Sequence, residues 1–67
     1  MTITINGKEN NTYEEPMSID ELLSCLNLIE VPVLVELNGI ALRKSEFSST
    51  NINDDAIIEI IQIAAGG

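Results

Sequence analysis

The pair Asn-Gly occurs twice in this chain, at Asn6-Gly7 and Asn38-Gly39, each time after a run rich in aliphatic residues. A two-residue type I′ turn needs positive φ at both central positions, and Asn-Gly meets that demand at least steric cost. Each pair therefore predicts a tight hairpin. Met1 to Asn6 alternates, with Ile3 and Ile5 facing inward and Thr2 and Thr4 outward, the pattern of a half-buried strand. A polar edge strand is expected to follow around Glu9 to Glu14, stopped by Pro16. In the second hairpin, Val33, Val35 and Leu37 point inward and Leu34 and Glu36 outward, and Ile40-Ala41-Leu42 forms the return strand.

One helix is predicted between the hairpins. Ser18 caps it, and Glu21 three residues later completes a capping box, with Met17 and Leu22 placed as a hydrophobic staple. Asp20 and Glu21 favour the positive end of the helix dipole. Ile19, Leu22, Leu23 and Leu26 form one apolar face, and Asn27 ends the element. Cys25 is expected to be semi-buried at the margin of that face. Beyond the second hairpin, Phe47 is the apolar residue of a polar stretch and should plug the core beneath a short turn. Asn51 to Asp55 reads as a turn and Ala56 to Ile63 as the last strand. The order β-β-α-β-β-turn-β predicts an α+β two-layer roll, a mixed sheet of about five strands with one main helix.

Composition narrows the chemistry. The chain has 67 residues, which is one domain, and 45% are hydrophobic against 3% aromatic, so the core is aliphatic with Phe47 and Tyr13. Three basic residues stand against eleven acidic ones, giving a net charge of −8. That balance argues against nucleic-acid binding, which needs Lys and Arg to neutralise phosphate. It suits docking to a basic protein surface, or solubility alone. There is no histidine and one cysteine, so the usual general base and every Cys-His or Ser-His pair are missing. The glycines make no phosphate-binding loop. The expectation is a protein that is not an enzyme, binds no cofactor or metal, and is a monomer when alone. No apolar run approaches the ~20 residues of a membrane span. Met1 to Ile5 lacks the basic start of a signal peptide, so a cytoplasmic location without membrane contact is expected.

The isoleucine-rich run Ile57 to Ile63 leads straight into Ala64-Ala65-Gly66-Gly67. Residues almost without side chains leave the terminal carboxylate as the only reactive group, and glycine lets a backbone enter a narrow channel. The chain thus divides into a domain, 1–63, and a flexible reactive tail, 64–67. Parity places Ile58 and Ile60 in the core, and Ile61, Ile63 and Leu34 on the opposite face as a docking patch. Glu36 and Glu59 should be solvated there, available to a basic partner. Arg43 and Lys44 are the only clustered cations, open to a partner or to a local salt bridge.

Several stretches together carry a resemblance: Val35-Glu36-Leu37-Asn38-Gly39 entering a turn, Arg43 followed four residues on by Phe47, and Ile58-Glu59-Ile60 running into Ala65-Gly66-Gly67. With the overall length, they make the chain similar to the ubiquitin-like β-grasp sulfur carriers, above all the ThiS family of thiamine biosynthesis. Two positions depart from that pattern. Asp55-Ala56 stands where the family has Gly-Asp, which moves the positive φ to Asn53 or Asp54, and Leu42 replaces a proline. The resemblance implies that a ThiF-like adenylating enzyme uses ATP to activate the Gly67 carboxylate. A cysteine persulfide donor then gives a thiocarboxylate, and a ThiG-like thiazole synthase takes the sulfur. The alternatives are the small subunit of molybdopterin synthase or another sulfur carrier, a ubiquitin-like protein modifier, and a binding module that never reacts.

Overall fold

The computed structural model describes residues 1–63. β1 (Ile3–Ile5) turns into β2 (Lys8–Asn10), followed by α1 (Ile19–Cys25), β3 (Val33–Leu37), β4 (Ile40–Leu42), a 3₁₀ turn at Lys44–Glu46, and β5 (Ile57–Gln62). The sheet order is β2-β1-β5-β3-β4. β5 runs parallel to β1 and antiparallel to β3, so the last strand in sequence is the middle strand in space. The same pairings make β2 and β3 run in the same direction, and α1 is the crossover between them. This is the mixed five-strand sheet with one helix that the sequence predicts.

Both hairpins close as the Asn-Gly pairs require. φ is 49° and 81° at Asn6 and Gly7, and 51° and 82° at Asn38 and Gly39. β2 is shorter than the stretch to Glu14 that was expected. It stops at Asn10, whose side-chain oxygen accepts from the Thr12 N–H at 2.9 Å and its hydroxyl at 2.8 Å. That local Asx turn gives the backbone a partner other than the sheet and curls it off the edge.

A seven-residue helix is too short to persist alone, so its ends and its packing must hold it. At the N-terminus every early donor is used. The Ile19 N–H donates to Thr50 O at 3.0 Å, Asp20 to Phe47 O at 3.2 Å, and Glu21 to the Ser18 hydroxyl oxygen at 3.1 Å. The Glu21 carboxylate accepts from the Ser18 N–H at 2.9 Å, completing the predicted capping box. The bonds to Thr50 and Phe47 explain why the polar stretch after β4 lies against this helix end. At the C-terminus, Asn27 takes φ 59°. Leu28 N–H donates to Leu23 O at 2.8 Å and Asn27 N–H to Ser24 O at 3.1 Å, the two bonds of a Schellman motif. Ile19, Leu22 and Leu23 pack with Ile3, Val35, Phe47, Ile52, Ala56, Ile58 and Ile60 in one core. Cys25 is exposed rather than semi-buried. So short a helix covers the sheet only along the centre of its stripe.

The left-handed residue before β5 is Asp55, at φ 67°, not Asn53 or Asp54. The Ala56 N–H donates to Asn53 O at 3.2 Å, closing a four-residue turn with Asp55 third. That is the position where a type II turn takes glycine. The turn is pinned to the N-terminus: Asp55 N–H donates to Thr2 O at 2.6 Å, and Thr2 N–H to the Asp54 carboxylate at 2.7 Å. A left-handed non-glycine residue costs roughly 1–2 kcal/mol, partly offset by the greater entropy glycine loses on folding. Asp55→Gly is therefore expected to raise stability by up to about 1 kcal/mol, read by urea unfolding. A loss of stability would show that the Asp55 carboxylate compensates its own backbone.

Candidate functional site: the central strand and its outer face

β5 connects the core to the residues after 63, so what fixes β5 fixes the start of the tail. Its neighbours β1 and β3 are each shorter than it is. The two turn asparagines make up the difference. On the β1 side, the ladder runs from Thr4 N–H to Ala56 O at 2.9 Å and Asn6 N–H to Ile58 O at 2.9 Å. There β1 turns away into its hairpin. The Asn6 side chain then continues the ladder, its Oδ1 accepting from the Ile60 N–H at 2.7 Å and its Nδ2 donating to Ile60 O at 3.0 Å. A primary amide presents the same donor and acceptor as the peptide group it replaces. On the β3 side, Asn38 N–H donates to Ile57 O at 2.7 Å, and Asn38 Oδ1 accepts from the Ile57 N–H at 2.8 Å. Sequence reasoning read both asparagines as turn formers only. Their second role depends on which strand lies beside each turn.

The two faces of β5 divide by parity. Ile58 and Ile60 are buried, while Ile57 and Ile61 are 54% and 52% exposed. Leu34, 57% exposed, lies directly opposite Ile61 across the β3–β5 pair. The predicted grouping of Leu34 with Ile61 is therefore present. Ile57, opposite Thr4, belongs to the same face, and the alternation that placed Ile61 would have found it. Ile63 follows the last strand residue, and its N–H donates to Pro32 O at 2.9 Å, the rung after the Val33–Gln62 pair. It therefore keeps the parity of Ile61 at the strand end, is exposed, and also borders a depression beside Leu23 and Phe47.

Glu36 and Glu59 are exposed and directly opposite each other, next to the Leu34–Ile61 pair. Like charges at directly paired positions are unfavourable in a sheet. The arrangement is a pair of aliphatic residues beside a pair of carboxylates, and a surface carrying apolar groups next to a cation complements it. Arg43 and Lys44 are exposed, and the Arg43 backbone N–H donates to the Glu46 carboxylate at 2.7 Å. No helix among the described residues is long and apolar enough to cross a membrane. The predicted reactive residues Gly66 and Gly67, with Ala64 and Ala65, lie outside the described residues.

The model of the ThiS family matches residues 3–67. The uncharacterized protein ycf40 of Pyropia yezoensis is 40% identical over 67 residues, spanning 100% of this chain and 93% of that protein. The protein of the same name from Porphyra purpurea is 39% identical over the same spans. Among solved structures, the crystal structure of the thiamine biosynthesis protein ThiS from Geobacter metallireducens superposes with a TM-score of 0.84 at 35% identity, covering 100% of both chains. A solution structure of a thiamine biosynthesis protein from the same organism gives 0.82 at 35% identity, covering 100% of this chain and 88% of the other.

The two asparagines respond differently to a change that removes the amide donor but keeps the oxygens. Asn6→Asp loses the bond to Ile60 O and sets a carboxylate beside that carbonyl. It is expected to cost about 1–3 kcal/mol. Asn38→Asp keeps the acceptor its β5 contact uses and should stay within about 0.5 kcal/mol of the parent. Urea unfolding of both variants checks the contrast. Equal losses would mean that the turns, not the side-chain bonds, carry the effect.

Proposed function

The chain belongs to the ThiS family of small β-grasp sulfur carriers, and from that membership we propose that its Gly67 carboxylate is adenylated, converted to a thiocarboxylate, and used as the sulfur source for thiazole formation. The observation that carries this reading is the family match over residues 3–67, which runs through the Gly-Gly ending.

The chemistry follows from what a carboxylate lacks. It is a poor electrophile until one oxygen becomes a good leaving group. On a ThiF-like enzyme, a Gly67 oxygen attacks the α-phosphorus of ATP and pyrophosphate leaves. The outer sulfur of a cysteine persulfide then displaces AMP from the acyl carbon to form an acyl disulfide. A thiol cleaves its S–S bond, releasing the thiocarboxylate and leaving a disulfide behind. A ThiG-like thiazole synthase receives the tail and takes the sulfur, and the carrier returns for another cycle. ATP belongs to the partner; this chain supplies the acyl group and the surface that presents it. Gly66 keeps the channel free of side chains, and Ala64 and Ala65 are tail positions of the same kind.

Docking in this reading falls to the outer face. Leu34, Ile57 and Ile61 supply apolar area, and Glu36 and Glu59 supply charge that steers a basic partner surface. Ile63 contributes from the strand end. The Glu36–Glu59 pair supports this role because it opposes folding and yet stands at the centre of the face.

Incubation with the adenylating enzyme, ATP and a sulfur source should raise the intact mass by the exchange of one oxygen for sulfur. Deletion of Gly67 should abolish that change while thermal unfolding stays where it was. A parent chain that is never loaded would sink the carrier reading. A ladder of lysine conjugates would replace it with a protein modifier, and full function without Gly66-Gly67 with an inert binding module.

Glu36→Gln gives a second, independent check. Removing one of two opposed charges should stabilise the domain by a few tenths of a kcal/mol. Association with the adenylating enzyme should slow at the same time, most strongly at low salt. Stopped-flow rates and unfolding midpoints measure the two effects. A stabler variant that associates as fast as the parent would show that the pair plays no part in docking.

A further inference from the structure

The helix side of the sheet carries a second apolar surface at the strand end. A depression of about 250 Å³ lies there, with buried Leu23 and Phe47 at its base and half-exposed Ile29 and Ile63 at its border. Its origin is local. The helix stops at Cys25, and the Schellman turn carries the chain outward. Val31 N–H donates to Leu28 O at 3.1 Å, and this second turn sets Ile29 at the border instead of in the core. The Ile63 N–H donates to Pro32 O at 2.9 Å, which ties the last described residue to the same wall. Asp20 and Glu30 line the depression against the single cation Lys44.

We propose that this depression receives an aromatic or branched aliphatic side chain of the adenylating partner, flanked by a basic residue, while the Leu34–Ile61 face contacts the same enzyme. The inference rests on the reading of Gly67 as the reacting residue. Four residues separate Ile63 from the terminus. Fully extended, they span at most about 14 Å. An active site that encloses both the carboxylate and a nucleotide must therefore bring its protein wall within that reach of Ile63. The wall then meets the domain on both sides of the strand end, the outer face with Ile61 and the depression that Ile29 and Ile63 border. An apolar hollow at a protein contact is a place for an anchor residue, and such anchors are most often aromatic. Two carboxylates against one ammonium select a basic neighbour for that anchor.

The test compares Ile29→Ser with Ile40→Ser, at an exposed position on β4, in the full chain. Calorimetric titration with the adenylating enzyme should show Ile29→Ser binding roughly tenfold more weakly and Ile40→Ser unchanged. Amide signals of Leu23, Ile29 and Val31 in the labelled parent should shift or broaden on addition of unlabelled enzyme, a readout independent of how any variant folds. A parent that loads with sulfur but leaves those signals in place, or an Ile29→Ser chain that binds as the parent does, would overturn this proposal and leave the carrier reading standing. A parent that neither binds nor loads would remove both.

Discussion

The fold depends on satisfying the backbone of a strand that arrives last and must lie in the middle. β5 has neighbours on both edges, so its N–H and C=O groups need partners in both directions, and an unpaired buried peptide group costs about as much as a lost hydrogen bond. β1 and β3 supply most of them. Where each bends into its hairpin, an asparagine amide takes over, Asn6 at Ile60 and Asn38 at Ile57. One residue type thus solves two problems at once. It tolerates the left-handed backbone of the turn, and it extends the ladder past the point where the strand has left.

The two faces of β5 serve opposite ends. Ile58 and Ile60 join the helix-side core and hold the domain together. Ile57 and Ile61 leave aliphatic surface in water, and Glu36 faces Glu59 at a distance that only the folded sheet imposes. Neither outer feature helps the isolated domain fold. A small domain has little stability to spare, so features of this sort point to a partner that compensates them on binding. The ThiS family, to which the chain belongs, is a setting in which such a partner is required.

Local chemistry was the legible part of the sequence. Asn-Gly turns, the Ser18–Glu21 capping box and the alternation of β3 and β5 each rest on residues a few positions apart, and each is present. The readings that failed depend on where each element stops and on what lies against its end. Asn10 could have continued a strand had it not closed an Asx turn on Thr12. Asp55 became the left-handed residue because the turn had to meet Thr2. Cys25 was placed by periodicity carried one step past where the helix stops covering the sheet. The depression beside Ile29 had no sequence signature, since it is the space left between elements. Gly66 and Gly67 were legible as a motif and lie beyond the described residues.

The central position of β5 has a mechanical consequence. Under the proposed carrier function, an enzyme that takes up the terminus would pull along the axis of this strand. Because β5 is bonded on both edges, to β1 in parallel and β3 in antiparallel register, that load is shared by two ladders in shear. An edge strand pulled from its side would instead peel away one bond at a time. Such a strand resists a pull along its axis, and the asparagine bonds at Ile57 and Ile60 add one contact to each of the two ladders.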